Sequence, residues 1–370
     1  MKRVVKYVLL IIGILLIIGV IQFLVIRKLD RNFEDSQEIG VKIINQKPLK
    51  LPSMFLDSAR FMVKLPLQAK EDTLLAYCDT GGGISMLMPS RQDRPEIAPY
   101  VKKGLVKGLM PMSYVIFNDM VNIEKFPSPS PIPNFILRKP LARVQESYLV
   151  IPPLTDDLQQ KIDKMPMLDA FLGQGFFMGR AWTFDYPKQE VWVNTPIKST
   201  DSKKPNVLSL GFKKNTHGVA VYGHPRMQIE IEGEEIEVLF DTGASFVLSD
   251  KGKEYFNTEK NTLAGSFIAA SIFDQWRTDH PDWKYYPESD GSQGIIEVPV
   301  VKIAGQEVGP VLFSRRPDHV WSEMMAQSMD KVVKGAIGGS LLKHFKVKVD
   351  YNSELIQFQK YNDSTLVDRL

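Results

Sequence analysis

The sequence predicts a β-rich chain of two similar halves behind an N-terminal membrane helix, and three observations predict it. Asp-Thr-Gly occurs twice, at Asp79-Thr80-Gly81 and Asp241-Thr242-Gly243. Each copy follows an apolar run that reads as a strand, Leu74-Leu75-Ala76-Tyr77-Cys78 and Val238-Leu239-Phe240. Further landmarks repeat in register with the triplets, and an apolar stretch of helical length precedes both halves.

The repeat is read as follows. Phe171-Leu172-Gly173-Gln174-Gly175 follows the first triplet and Ala336-Ile337-Gly338-Gly339-Ser340 the second; Asp185-Tyr186 and Asp350-Tyr351 lie twelve residues beyond Gly173 and Gly338. The offset between halves stays at 162 to 165 across these landmarks, a register that chance does not hold. The strands entering the triplets also match: Arg60-Phe61-Met62-Val63-Lys64-Leu65 answers Arg226-Met227-Gln228-Ile229-Glu230-Ile231. Both are apolar or alternating runs ended by turn residues, the pattern of a hairpin leading into the Asp-Thr-Gly loop.

Two such carboxylates suggest a hydrolase. Carboxyl groups about 3 Å apart cannot both ionise, so one keeps a proton while the other acts as a base, and a water held between them can attack an amide carbonyl.

On these motifs the chain, over roughly residues 55 to 360, resembles the pepsin-type and retroviral-type aspartic proteases. The most specific parts are the two triplets, Met86-Leu87-Met88-Pro89-Ser90, and Ile337-Gly338-Gly339-Ser340-Leu341-Leu342 continuing through Phe345, Val347, Val349 and Asp350. The resemblance implies an all-β, two-lobed pepsin-like fold with Asp79 and Asp241 as the catalytic dyad. Thr80 and Thr242 would bond across the lobe interface, with Gly81 and Gly243 completing the loops. Gly173 and Gly338 would pack beneath them, where only glycine lets backbones approach closely.

The chain also departs from that pattern. Pepsin-like enzymes carry Ser or Thr directly after the triplet, whereas Gly82 and Ala244 stand here. Without that donor the ionised carboxylate loses a hydrogen bond and its pKa rises, so activity is expected at mildly acidic to near-neutral pH. Tyr114 is the nearest candidate for a tyrosine on a substrate-covering hairpin, in surroundings that match poorly. The disulfides of secreted pepsins are impossible, because Cys78 is the only cysteine; in its apolar strand it reads as a small core residue.

Val8 through Ile26 is apolar except for Gly13, Gly19 and Gln22, long enough to cross a hydrocarbon core of roughly 30 Å as a helix. The rival reading is a cleaved signal, but the run exceeds the usual h-region and no small-x-small site follows. Lys2, Arg3 and Lys6 precede the run; Arg27, Lys28 and Arg31 follow it. A short basic head before a single span places the rest of the chain outside the cytoplasm, on the periplasmic or extracellular side.

The expected organisation is therefore an anchor over 1–28, a tether over 29–50, and a first lobe over 51–195. A linker over 196–206, a second lobe over 207–360 and a tail over 361–370 complete it. The first lobe holds the proline-rich stretch Pro127 to Pro133.

Composition excludes other classes. A net charge of +3 spread over 370 residues does not suggest nucleic acid as partner. The five histidines, at 217, 224, 280, 319 and 344, show no metal-ligand spacing, so neither a metal nor a cofactor is expected. No Gly-x-Ser-x-Gly elbow or phosphate loop appears. The expectation is a membrane-anchored aspartic endopeptidase acting on proteins or peptides; the alternative is a pepsin-like peptide-binding or scaffolding module without hydrolysis.

Overall fold

The computed structural model describes residues 12–25, 46–68, 72–106, 110–128, 137–138, 148–164 and 168–361. Among them, most regular structure is β, in two nine-stranded sheets, a six-stranded sheet and a short two-stranded one.

Each nine-stranded sheet is built around a hairpin of the kind the sequence suggests. In the second half, Arg226–Ile231 pairs antiparallel with Glu234–Phe240. Glu232 and Gly233 join them, both with positive φ (51° and 80°), as the tight two-residue turn of a right-twisted hairpin requires. Met227, Ile229 and Ile231 point into the core while Gln228 faces solvent, the period-two alternation of a half-buried strand. In the first half, Arg60–Pro66 pairs with Thr73–Cys78 in the same way.

The apolar-apolar-Gly segments then enter beside these hairpins. Ala170–Leu172 runs parallel to Thr73–Cys78, with Leu172 opposite Cys78, and Gly335–Ile337 runs parallel to Glu234–Phe240, with Ile337 opposite Phe240. Each also pairs antiparallel on its other side, with Met86–Leu87 and Ser266–Ala269 respectively. The same local arrangement thus occurs twice, once per half.

The third repeated landmark forms the junction. Ala181–Asp185 and Phe345–Asp350, equivalent in the repeat, pair antiparallel with each other. They are the central strands of the six-stranded sheet, flanked by Glu190–Val193 and Leu49–Leu51 on one side and by Leu355–Lys360 and Val207–Ser209 on the other. One face of this sheet lies under the loops: Phe184 packs against Phe61, Phe177 and Phe240, with ring centroids 5.1 to 6.2 Å apart. Burying such side chains stabilises by roughly 1.5–3 kcal/mol each. Asp185 and Asp350 cap the turns that follow, each accepting backbone N–H groups, and take no part in the cleft.

At the N-terminus, residues 12–25 are helical and their apolar side chains are exposed, Leu16 at 65 %. At about 1.5 Å per residue the described turns cover about 21 Å, against a roughly 30 Å hydrocarbon core. Among the described residues no helix is long and apolar enough to cross a membrane. The expected span over 8–26 is therefore not found there, and its two ends lie outside the described residues. So do most of the tether, most of the proline-rich stretch and the tail beyond Tyr361. Leu49–Leu51, at the end of the expected tether, forms an edge strand against Val191–Val193.

Gly338 shows how tightly the second half is packed. A Cβ there would lie closer than 3 Å to the Gly265 carbonyl oxygen and to the Ala244 Cβ, whereas one on Gly83 would meet nothing within 4 Å. Gly338→Ala is expected to lose about 2 kcal/mol or more of stability, because neither a backbone carbonyl nor a buried Cβ can move aside cheaply. Gly83→Ala is expected to stay within about 0.5 kcal/mol of wild type. Denaturant unfolding of the two variants checks the contrast.

Candidate active site

Both Asp-Thr-Gly loops leave the end of a central strand and are anchored identically. The Asp79 N–H donates to the Leu172 carbonyl and the Asp241 N–H to that of Ile337, each at 2.9 Å. The strands thus stop where the parallel partner ends, and the two loops turn toward each other.

The threonines lock them together. Thr80 Oγ1 donates to the Phe240 carbonyl at 2.8 Å and accepts the Thr242 N–H at 3.0 Å. Thr242 Oγ1 donates to the Cys78 carbonyl and accepts the Thr80 N–H, both at 3.1 Å. Both side chains are fully buried, so every group in this four-bond exchange is satisfied only by the other half of the chain.

The carboxyl groups sit just above this lock. Asp79 Oδ1 accepts the Gly81 N–H and Asp241 Oδ1 the Gly243 N–H, each at 2.9 Å. The groups also cross over. A Cβ on Gly81 would lie 2.5 Å from Asp241 Cγ, and one on Gly243 would collide with the Asp79 carboxyl, so each carboxyl rests on the glycine of the opposite loop. Glycine is required at both positions because a side chain would displace the facing acid.

The two acids are close enough for each to perturb the other's titration. They keep some solvent contact, but protein surrounds them densely, and that burial is the largest cause of their perturbation. Burial, and then the neighbouring Asp241 charge, hold the Asp79 carboxyl well above the usual carboxylate range. Burial also raises Asp241, opposed by Asp79 and by the backbone N–H groups of Gly243 and Ala244. Such a pair retains one proton in common and titrates as a unit. Chemically it offers a base and an acid within reach of one water.

The residues that depart from the pepsin pattern have a structural counterpart. A Cβ on Gly82 would lie 2.5 Å from Phe171 Cε1 and 3.1 Å from Asp79 Cγ. The Phe171 ring, stacked on Tyr77 with centroids 6.0 Å apart, occupies the space that a hydroxyl-bearing side chain would need. Ala244 is buried against Gly338.

Sequence reasoning did not assign the residues that brace the second loop. Tyr77 Oη donates to the Gly243 carbonyl at 2.9 Å and contacts Ser245 Oγ at 3.0 Å. Arg60, only 2 % exposed, donates to Ser245 Oγ and Thr262 Oγ1 at 3.0 Å and to the Thr262 carbonyl at 3.2 Å. It is also ion-paired with Asp57, which pairs in turn with Lys260. A first-half cation is therefore sequestered among second-half acceptors. The available signal was a charged residue opening the apolar run Phe61-Met62-Val63.

The remaining predicted residues are readily placed. Gly173 and Gly338 lie beneath the loops, against the Gly82 and Ile84 carbonyls and the Gly265 carbonyl respectively. Tyr114 lies near the base of the hairpin formed by Val101–Val106 and Met110–Ile116, opposite Lys102, and packs edge-on against Tyr148 at 6.2 Å. It is a core residue of that hairpin. Cys78 is a buried free thiol, pushed up by burial. Among the described residues no cluster of His, Cys, Asp and Glu could hold a metal.

The raised carboxyls have a consequence for stability. A group that binds its proton more tightly in the folded state than in the unfolded chain stabilises the fold most below the unfolded carboxyl pKa, about 4. That contribution is lost as pH rises toward the native value. Asp79→Asn removes the penalty while keeping an acceptor for the Gly81 N–H. Its melting temperature relative to wild type is expected to rise by several degrees between pH 4 and pH 7. Thermal unfolding at the two pH values checks this, and a difference independent of pH contradicts it.

No protein-family model matches the chain. No curated protein matches it either. Among solved structures, it is similar to the crystal structure of aspartic proteinase from Irpex lacteus, with a TM-score of 0.42 and 12% identity, over 86% of this chain and 99% of that one.

Proposed function

We propose that the chain is a membrane-anchored aspartic endopeptidase of the pepsin or retroviral type. The observation that carries this reading is the pair of Asp-Thr-Gly loops from the two halves, joined by reciprocal threonine bonds with their carboxyls facing each other. In the proposed reaction the ionised carboxylate takes a proton from the water between the acids. The hydroxide so generated attacks the peptide carbonyl carbon, and the protonated acid gives its proton to the carbonyl oxygen. Collapse of the tetrahedral diol, with proton transfer to the amide nitrogen, breaks the C–N bond and restores the shared proton.

Protein or peptide chains are the substrates such a mechanism suits. The alternative, a peptide-binding module without hydrolysis, draws its support from Phe171 closing the space beside Gly82. The exposed apolar helix over 12–25 supports anchoring, because lipid would cover surface that water disfavours. The short head ahead of it favours a catalytic part outside the cytoplasm, while the basic residues, Lys2, Arg3 and Lys6 before the run and Arg27, Lys28 and Arg31 after it, barely distinguish the two orientations.

Asp79→Asn and Asp241→Asn are each expected to reduce kcat/KM by about 10³-fold or more, and the double variant by scarcely more than either, since the acids act as one unit. Cleavage of a peptide library by the full chain and its variants measures this. A single variant that keeps most of its activity removes the mechanism. A wild type that binds extended peptides without cutting them favours the module.

The anchor is tested separately. The mature protein is expected to keep residues 1–28 and to remain in the membrane fraction after a high-salt wash. N-terminal sequencing that begins beyond Arg27 contradicts it.

A further inference from the structure

The two catalytic loops are related by the repeat, but their carbonyls are not treated alike. The Gly243 carbonyl receives the Tyr77 hydroxyl from the other half and the Ser245 hydroxyl from its own, each at 2.9 Å. In the first loop the positions equivalent to Tyr77 and Ser245 are Leu239 and Gly83, neither of which has a side-chain donor. Among the described residues no donor to the Gly81 carbonyl is found.

One polar side chain of the second half lies at that position. His224, in Tyr222-Gly223-His224-Pro225 ahead of the strand Arg226–Ile231, is only 5 % exposed, and the Gly81 and Gly82 backbone is near enough to oppose the fall in its pKa. Neither ring nitrogen completes a hydrogen bond to protein. Leaving such a group buried and unpaired costs about 1–3 kcal/mol, so its presence beside a catalytic loop calls for a role.

The surrounding backbone is built to hold the ring there. The Gly223 N–H donates to Gln174 Oε1, and a Cβ on Gly223 would strike Met178 and Gln174. Gln174, itself fully buried, donates its N–H to the Gly82 carbonyl at 2.7 Å and Nε2 to that of Gly83 at 3.4 Å. Gln174 thus ties the glycine loop to the segment that carries His224.

We propose that His224 is a positioning residue: its ring N–H donates to the Gly81 carbonyl when a peptide fills the cleft, doing for the Asp79 loop what Tyr77 and Ser245 do for the Asp241 loop. The free protein holds the ring poised, as catalytic hydrogen bonds are often long before substrate binds. Burial pushes the imidazole down to about 4, so at mildly acidic to neutral pH the ring is uncharged, with one N–H and one acceptor. Without the bond, the Gly81 carbonyl has no donor among the described residues, and the run Gly81-Gly82-Gly83, which has no side chains to restrain it, is held by Gln174 at Gly82 and Gly83 only.

This rests on the proposed dyad, and the experiment separates the two. His224→Phe keeps the ring volume without a donor, while His224→Gln and His224→Asn place an amide N–H near one or the other ring nitrogen. In the full chain with a cleaved peptide, His224→Phe is expected to lower kcat on the order of 10²-fold with KM nearly unchanged. At least one of the amide variants is expected to recover most of that loss.

Hydrogen exchange of the segment 79–88, measured with a non-cleavable peptide bound, is expected to be about tenfold faster in the Phe variant and to be restored in the same amide variant. Wild-type kcat and exchange in His224→Phe overturn the proposal. A loss confined to KM, or amide variants no better than the Phe variant, also overturns it. If the wild type cleaves nothing, the endopeptidase reading fails, and the exchange comparison alone decides the role of His224.

Discussion

The four hydrogen bonds that Thr80 and Thr242 make across the two halves, two to each other's backbone N–H and two to the Phe240 and Cys78 carbonyls, are the constraint on which the site depends. Each threonine satisfies one donor and one acceptor that belong to the other half of the chain, in a place with no access to solvent. Breaking any one of them while the halves stay packed leaves a buried donor or acceptor unpaired, at about 1–3 kcal/mol. The loops are thereby held so that each carboxyl rests on the glycine of the opposite loop. The cost of crowding two carboxyls in a dense setting is borne by the rest of the fold, chiefly the shared sheet and its aromatic underside.

Around this symmetric centre the supports differ. The Asp241 loop is braced by Tyr77, Ser245 and the buried Arg60, which also couples to Asp57 and Lys260. The Asp79 loop, with three successive glycines, is held from outside by Gln174 and faced by His224. Dyad chemistry needs both acids at fixed positions, yet among the described residues the carbonyl of the triplet glycine accepts side-chain hydroxyls only in the Asp241 loop. The two halves share a backbone plan but reach the same geometry through different side chains.

The backbone plan was largely legible in the sequence. The triplets, the hairpins before them and the apolar-apolar-Gly segments are local patterns, and their spacing is set by the chain itself. The structure places them at the same relative positions in both halves. Pairing of Ala181–Asp185 with Phe345–Asp350 was not legible, although both were noted as repeats, because strand partners far apart in sequence leave no periodic trace. Phe171 was read only as part of a motif; that its ring fills the space beside Gly82 depends on a parallel strand register no single sequence shows. Arg60 and His224 were missed for a related reason, since burial and orphaned nitrogens are properties of packing. The membrane span was read from hydropathy alone, and among the described residues no helix is long and apolar enough to cross a membrane.

The account turns on whether Asp79 and Asp241 hold one proton between them. The direct measurement is a pH titration of the side-chain carboxyl carbons by NMR, with aspartate ¹³C-labelled at Cγ and the two signals assigned from the single Asn variants. The account predicts two coupled steps separated by more than about 2 pH units, with one proton retained by the pair across the mildly acidic range. Two independent titrations near pH 4, each like an isolated carboxyl, would contradict it.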